Sequence, residues 1–129
     1  MDKNKINVSK IESFMDSLLR SKVSNQIFPS DIPSSIDKTW NDFVVVDSSN
    51  IRDNDAIGNG FILVYLYARP FTDGTKNVPK MDAMEEALNT AIASTGAGTY
   101  RLSRDTTWPE YDNRCKWHTN VVKLNIIIV

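Results

Sequence analysis

The chain has 129 residues, 41% of them hydrophobic and 24% charged, with a formal net charge of -1. That length suffices for a single domain spanning residues 1–129 with a real core, and the composition lies far from the polar, highly charged profile of disorder. The near-neutral charge removes the broad positive field that grips nucleic acid or an anionic membrane, and one cysteine excludes an intramolecular disulfide.

The opening M-D-K-N-K-I-N-V has no apolar core of the length a secretory signal needs, so a cytoplasmic location is expected. No apolar run approaches the roughly 20 residues that cross a bilayer. Ser9 to Glu12 has the S-x-x-E form of a capping box. Ile11, Phe14, Met15 and Leu18 then recur at helical spacing, which predicts a core-facing helix to about Lys22. Pro29 and Pro33 disfavour helix in the segment that follows. Its Ile27, Phe28, Ile32 and Ile36 are too apolar for a free linker, so this segment should lie across the domain as irregular, extended chain.

Asp42 to Val46 and Phe61 to Ala68 are β-branched and aromatic, and predict two strands. In the second, Phe61, Leu63, Tyr65 and Tyr67 share one face and Ile62, Val64, Leu66 and Ala68 the other. Both faces need cover; a helix can supply one, and a second layer or a neighbouring subunit the other. Between the strands, Asp47 to Gly60 is crowded with Asn, Asp and Gly, the composition of a long loop. Asp47, Asp53 and Asp55 raise the question of calcium, but the D-x-D-x-D-G pattern with its distal Glu is missing. No metal site is assigned.

Val78-Pro79 opens a second predicted helix, with Met81, Met84, Leu88, Ala91 and Ile92 on one stripe, Asp82, Glu85 and Glu86 in its early turns, and Gly96 as its stop. The methionine pair reads as core filling. Thr99 to Leu102 predicts a short strand. In the closing strand Val122, Leu124, Ile126 and Ile128 alternate with Val121, Lys123, Asn125, Ile127 and Val129. An exposed I-I-I-V edge is a template for other chains, so this strand should be an inner one or be covered by a subunit. The expected fold is α+β: an antiparallel sheet of about four strands with two helices, in the order α-β-β-α-β-β.

Cys115 and His118 invite a catalytic or metal reading. A zinc site wants about four such ligands, and a strand that begins by Cys115 would place positions 115 and 118 on opposite faces. No nucleophile elbow, phosphate loop or dinucleotide fingerprint occurs, so no catalytic residue and no cofactor is assigned. Arg101, Arg104, Arg114 and Lys116 surround Trp108, Tyr111 and Trp117 in a mixture able to stack bases. The interleaved Asp105, Glu110 and Asp112 favour instead a solvated hairpin with aromatic packing.

The succession of an N-terminal helix, F-P-x-x-I-P (Phe28, Pro29, Ile32, Pro33), an F-V-V-V strand, an acidic Asn/Gly loop, F-I-L-V-Y-L-Y-A, a helix with M-x-x-M-E-x-x-L and a closing hairpin resembles the small tail-completion and tail-terminator proteins of long-tailed bacteriophages and prophages. The resemblance covers about residues 9–129 and is one of layout. It implies a non-enzymatic virion component that forms a homo-oligomeric ring, typically a hexamer, on the end of the tail tube. Its partners would be copies of itself, tail-tube proteins and head-connector proteins, with no membrane and no sequence-specific nucleic acid. Candidate contact residues in the long loop are Asp47, Ile51, Arg52, Asp53, Asp55 and Ile57. Those of the hairpin are Trp108, Tyr111 and Arg114, and those of the last strand Ile127 and Val129. The alternative is a small adaptor or binding domain of a secretion-system or immunity type, acting through protein contacts.

Overall fold

The computed structural model describes residues 8–51 and 60–128. Among the described residues seven elements follow one another: α1 (Val8–Leu19), β1 (Ile27–Pro29), β2 (Asp42–Asp47), β3 (Phe61–Ala68), α2 (Val78–Ala93), β4 (Tyr100–Asp112) and β5 (Trp117–Ile128). The strands form one sheet in the order β1-β2-β3-β5-β4. All neighbours run antiparallel except β1 and β2, which are parallel. The architecture is α+β, as expected, but the sheet has five strands and is mixed.

The parallel pair explains the proline-rich segment. Parallel neighbours cannot be joined by a tight hairpin and need a crossover of about a dozen residues. The helices occupy one face, and residues 30–41 cross the other, where Ile32, Ile36 and Trp40 pack on Phe43, Val45, Tyr67 and Trp117. The second cover that β3 needs is therefore supplied, at this end of the sheet, by the same chain. Ser30, at φ 72, turns the backbone out of β1 into this roof.

The helix-side core is larger. Ile11, Met15, Leu18 and Leu19 of α1 and Met81, Met84, Leu88, Ala91 and Ile92 of α2 meet Val44, Val46, Ile62, Val64, Leu66, Val122, Leu124, Ile126 and Ile128 from the sheet. Burying each of the Val, Leu, Ile and Met side chains contributes about 1.5–3 kcal/mol, and the sum is set against chain entropy. Asn77 caps α2 by accepting the Lys80 amide at 3.2 Å, with Pro79 in the first turn. Ser9 lies within α1, and the Glu12 carboxylate accepts from the Ser48 hydroxyl at 3.4 Å. Helix one ends at Leu19, three residues before the predicted limit, and Lys22 lies in the turn beyond it.

The closing strand is an inner one, between β3 and β4; among the described residues it is paired on both sides over 118–125, while Ile126, Ile127 and Ile128 pair with β4 alone. The expected short strand at 99–102 is instead 13 residues long and continues to Asp112, with an irregularity between Arg104 and Thr107. It forms the sheet edge, the position where a proline such as Pro109 is tolerated in a strand. Among the described residues no helix is long and apolar enough to cross a membrane.

Candidate functional site

The hairpin separates Cys115 from His118. Cys115 sits in the turn before β5 and packs against the aromatic roof cluster, and burial pushes its thiol pKa up. A thiol in that condition is a poor nucleophile. His118 faces the helix side, with Nε2 3.1 Å from the Gly74 carbonyl oxygen and its ring against Tyr111 at 4.9 Å. The two side chains lie on different sides of the sheet.

The candidate contact residues divide. Ile51 is 4% exposed and belongs to the helix-side core, which corrects its place among surface contacts. Its amide donates to Ser48 O at 3.0 Å, so the chain bends back after β2 and carries this apolar side chain inward. Gly60 closes against it: at φ +96 a Cβ there would stand 2.8 Å from Asn50 O and 3.2 Å from Ile51 Cγ1. Arg52, Asp53, Asp55, Ile57 and Val129 lie outside the described residues. Ile127 is 48% exposed, on the face opposite the helices. Trp108 shares that face and donates its indole N–H to Glu110 Oε2 at 2.6 Å.

Asp47 and Arg114 meet around one concavity. It has a volume of about 480 Å³ and lies beside the roof, walled by Asp31, Asp47, Tyr65, Tyr67, Glu110 and Asp112. Strand register builds it: Val45 stands opposite Tyr65, Tyr67 opposite Thr119, and Thr119 opposite Glu110. Arg114 straps its rim, donating to Asp31 at 2.8 and 2.9 Å and to Asp112 at 2.8 and 3.1 Å. That bond holds the Asp112 carboxyl below its ordinary pKa, with help from the Tyr67 hydroxyl. Asp31 is lowered first by the Ile32 amide and then by Arg114. The Tyr67 phenol, buried and bonded to Asp112 at 2.9 Å, is pushed far above its usual range.

The sequence pattern marked Asp47 and Arg114 but missed the tyrosines and Asp31 as their neighbours. The alternation of Tyr65 and Tyr67 along β3 was the available signal; the partner from residue 31 depends on the crossover, which no local pattern reveals. Two of the cations once weighed for nucleic acid are engaged within the fold. Arg114 is in the strap, and Arg104 ties β4 to α2 through Glu85 and Asn89. No protein-family model matches the sequence, and no curated protein matches it.

Proposed function

We propose that the chain is a structural assembly protein of the tail-terminator kind, working as a homo-oligomeric ring through its sheet surface and using no chemistry of its own. One observation carries the reading. Among the described residues the roof covers one end of the sheet's second face, and at the other end Phe61 and Leu63 are incompletely buried while Ile127 is exposed. Lys123, whose Nζ lies 4.5 Å from the Phe61 ring centroid, and Asn125 surround this apolar strip with polar groups. An apolar centre with a polar rim is the anatomy of a protein interface. The long edge strand β4 lies beside it and offers a second element to a neighbouring copy.

Light scattering coupled to size exclusion tests the proposal. The wild-type chain should give a mass that is a fixed multiple of the protomer, and Ile127→Glu should raise the concentration of half-dissociation by about tenfold or more. A chain that remains monomeric up to the solubility limit would sink the ring.

A further inference from the structure

The concavity beside the roof contains a buried group that the fold leaves unsatisfied. Thr119 is 1% exposed, and among the described residues its Oγ1 has no hydrogen-bond partner. A buried hydroxyl without a partner is destabilising, and native chains keep such groups where something else satisfies them. Register puts Thr119 on the floor, opposite Tyr67 on β3 and Glu110 on β4, with all three side chains on the same sheet face.

The walls around that hydroxyl are anionic and aromatic. Among the described residues, Asp31, Asp47, Glu110 and Asp112 line the concavity against one guanidinium, that of Arg114. Arg114 is committed to Asp31 and Asp112. Asp47 and Glu110 each have an oxygen engaged, by the Ser49 amide and the Trp108 indole, and both residues line the space. Tyr65 stands among them: burial first, then the charges of Asp47, Glu110 and Asp31, raise its phenol pKa, as expected in a negative field.

The complement of these walls is a cation with several N–H donors and a stem or plane that lies against a tyrosine ring. A divalent metal ion is a poorer match, since it needs oxygens converging at about 2.0–2.6 Å. Among the described residues no three His, Cys, Asp or Glu side chains are grouped to hold one.

We propose that this concavity binds an alkylguanidinium or alkylammonium group, with Asp47 and Glu110 as counter-ions, Tyr65 as the stacking wall and Thr119 Oγ1 as the acceptor on the floor. Glu110 is exposed, so it is free to turn from Trp108 to the ligand. Two sources share this chemistry: an arginine or lysine side chain of a partner protein, and a free small amine or guanidine. The site stands whether the chain works as a ring or as a monomer, because every group in it belongs to one copy.

The test is a titration of the full chain followed by amide NMR, with a capped Gly-Arg-Gly peptide, methylguanidinium, and a capped Gly-Glu-Gly peptide as control. Both cations should give saturable shifts centred on Tyr65 and Thr119. Tighter binding of the peptide assigns the site to a protein partner, and equal binding assigns it to a small cation. The double variant Asp47→Asn, Glu110→Gln should weaken the cation by about tenfold or more. Thr119→Val should weaken it by about threefold to tenfold while the melting midpoint holds or rises, which a purely structural hydroxyl would not do. If the double variant fails to fold, Thr119→Val decides alone. No saturable shift with either cation, equal shifts with the glutamate peptide, or undiminished binding in Thr119→Val overturns the proposal. Oligomeric state is read separately by scattering, so failure here and failure of the ring are distinct results.

Discussion

Tyr67 joins the two halves of the roofed face at one position. Its ring stacks on Phe43 at 4.3 Å with the planes 8° apart, and its hydroxyl donates to Asp112 at 2.9 Å. Asp112 in turn holds the strap of Arg114, so a buried aromatic pair and a surface ion pair share one carboxylate. Tyr67→Phe keeps the stack and deletes the bond, which should cost about 1.5–3 kcal/mol because the acceptor is charged. Urea denaturation at neutral pH measures it. The same residue fixes an alkaline limit. Burial, reinforced by the bond to Asp112, keeps the folded phenol protonated above the pKa of about 10 that it has in the unfolded chain. Its contribution is therefore fully present below about pH 10 and declines as pH rises beyond, by up to about 1.4 kcal/mol per unit. Comparing the two proteins between about pH 8 and about pH 11 should show that slope in the wild type and its loss in Tyr67→Phe. Equal slopes would mean that another group sets the limit.

Among the elements, those with one face in the core were legible in the sequence and those at the margins were not. Met81, Met84, Leu88, Ala91 and Ile92 lie at helical spacing, and all are buried in α2. Likewise Val122, Leu124, Ile126 and Ile128 alternate along β5 and all face the helices. Strand β4 lacked this signal because at the edge most of its residues face water, so no periodicity was imposed on Ser103 to Asp112. Strand β1 is three residues long, and its parallel pairing is a long-range property. The roof was legible as apolar chain, but the sheet face it covers was not. How α2 is joined to β4 was equally hidden. The Thr95 hydroxyl, buried just past the helix, donates to Ile92 O at 2.8 Å and accepts the Leu102 amide at 2.9 Å. One side chain thus satisfies a helix-terminal carbonyl and an amide of the edge strand. Thr95→Val should remove both bonds and cost about 1–3 kcal/mol. A fall in thermal midpoint of about 4 °C per kcal/mol would register it. An unchanged midpoint would mean that water replaces the hydroxyl at no cost.

At the scale of the whole molecule, the sheet is covered in two physically different ways. Two helices bury one face through broad apolar packing, whereas the roof is a single irregular segment that depends on a few polar anchors. Arg69 holds it from the sheet side, donating to Trp40 O at 2.6 Å and Asp37 O at 2.9 Å while its guanidinium lies 4.8 Å from the Trp117 ring centroid. Arg114 holds it from the hairpin through Asp31. The two covers should therefore separate on acidification. Asp112 and Asp31 have folded-state pKa values below those of the unfolded chain, so their stabilisation is present above about pH 3.9 and is lost as pH falls through the lowered values. Most of the effect belongs to Asp112, whose side chain is 8% exposed; the exposed Asp31 arm is screened by salt. Trp117 and Trp40 lie under and within the roof and report its state through their fluorescence. On titration below about pH 4 the emission should shift to the red before the far-ultraviolet helix signal changes. Arg114→Met should move that shift to higher pH, because a carboxyl without its cation protonates earlier. Coincident optical transitions, or an emission midpoint that Arg114→Met leaves in place, would show that the roof and the helical core unfold as one unit and that the strap does not hold the roof.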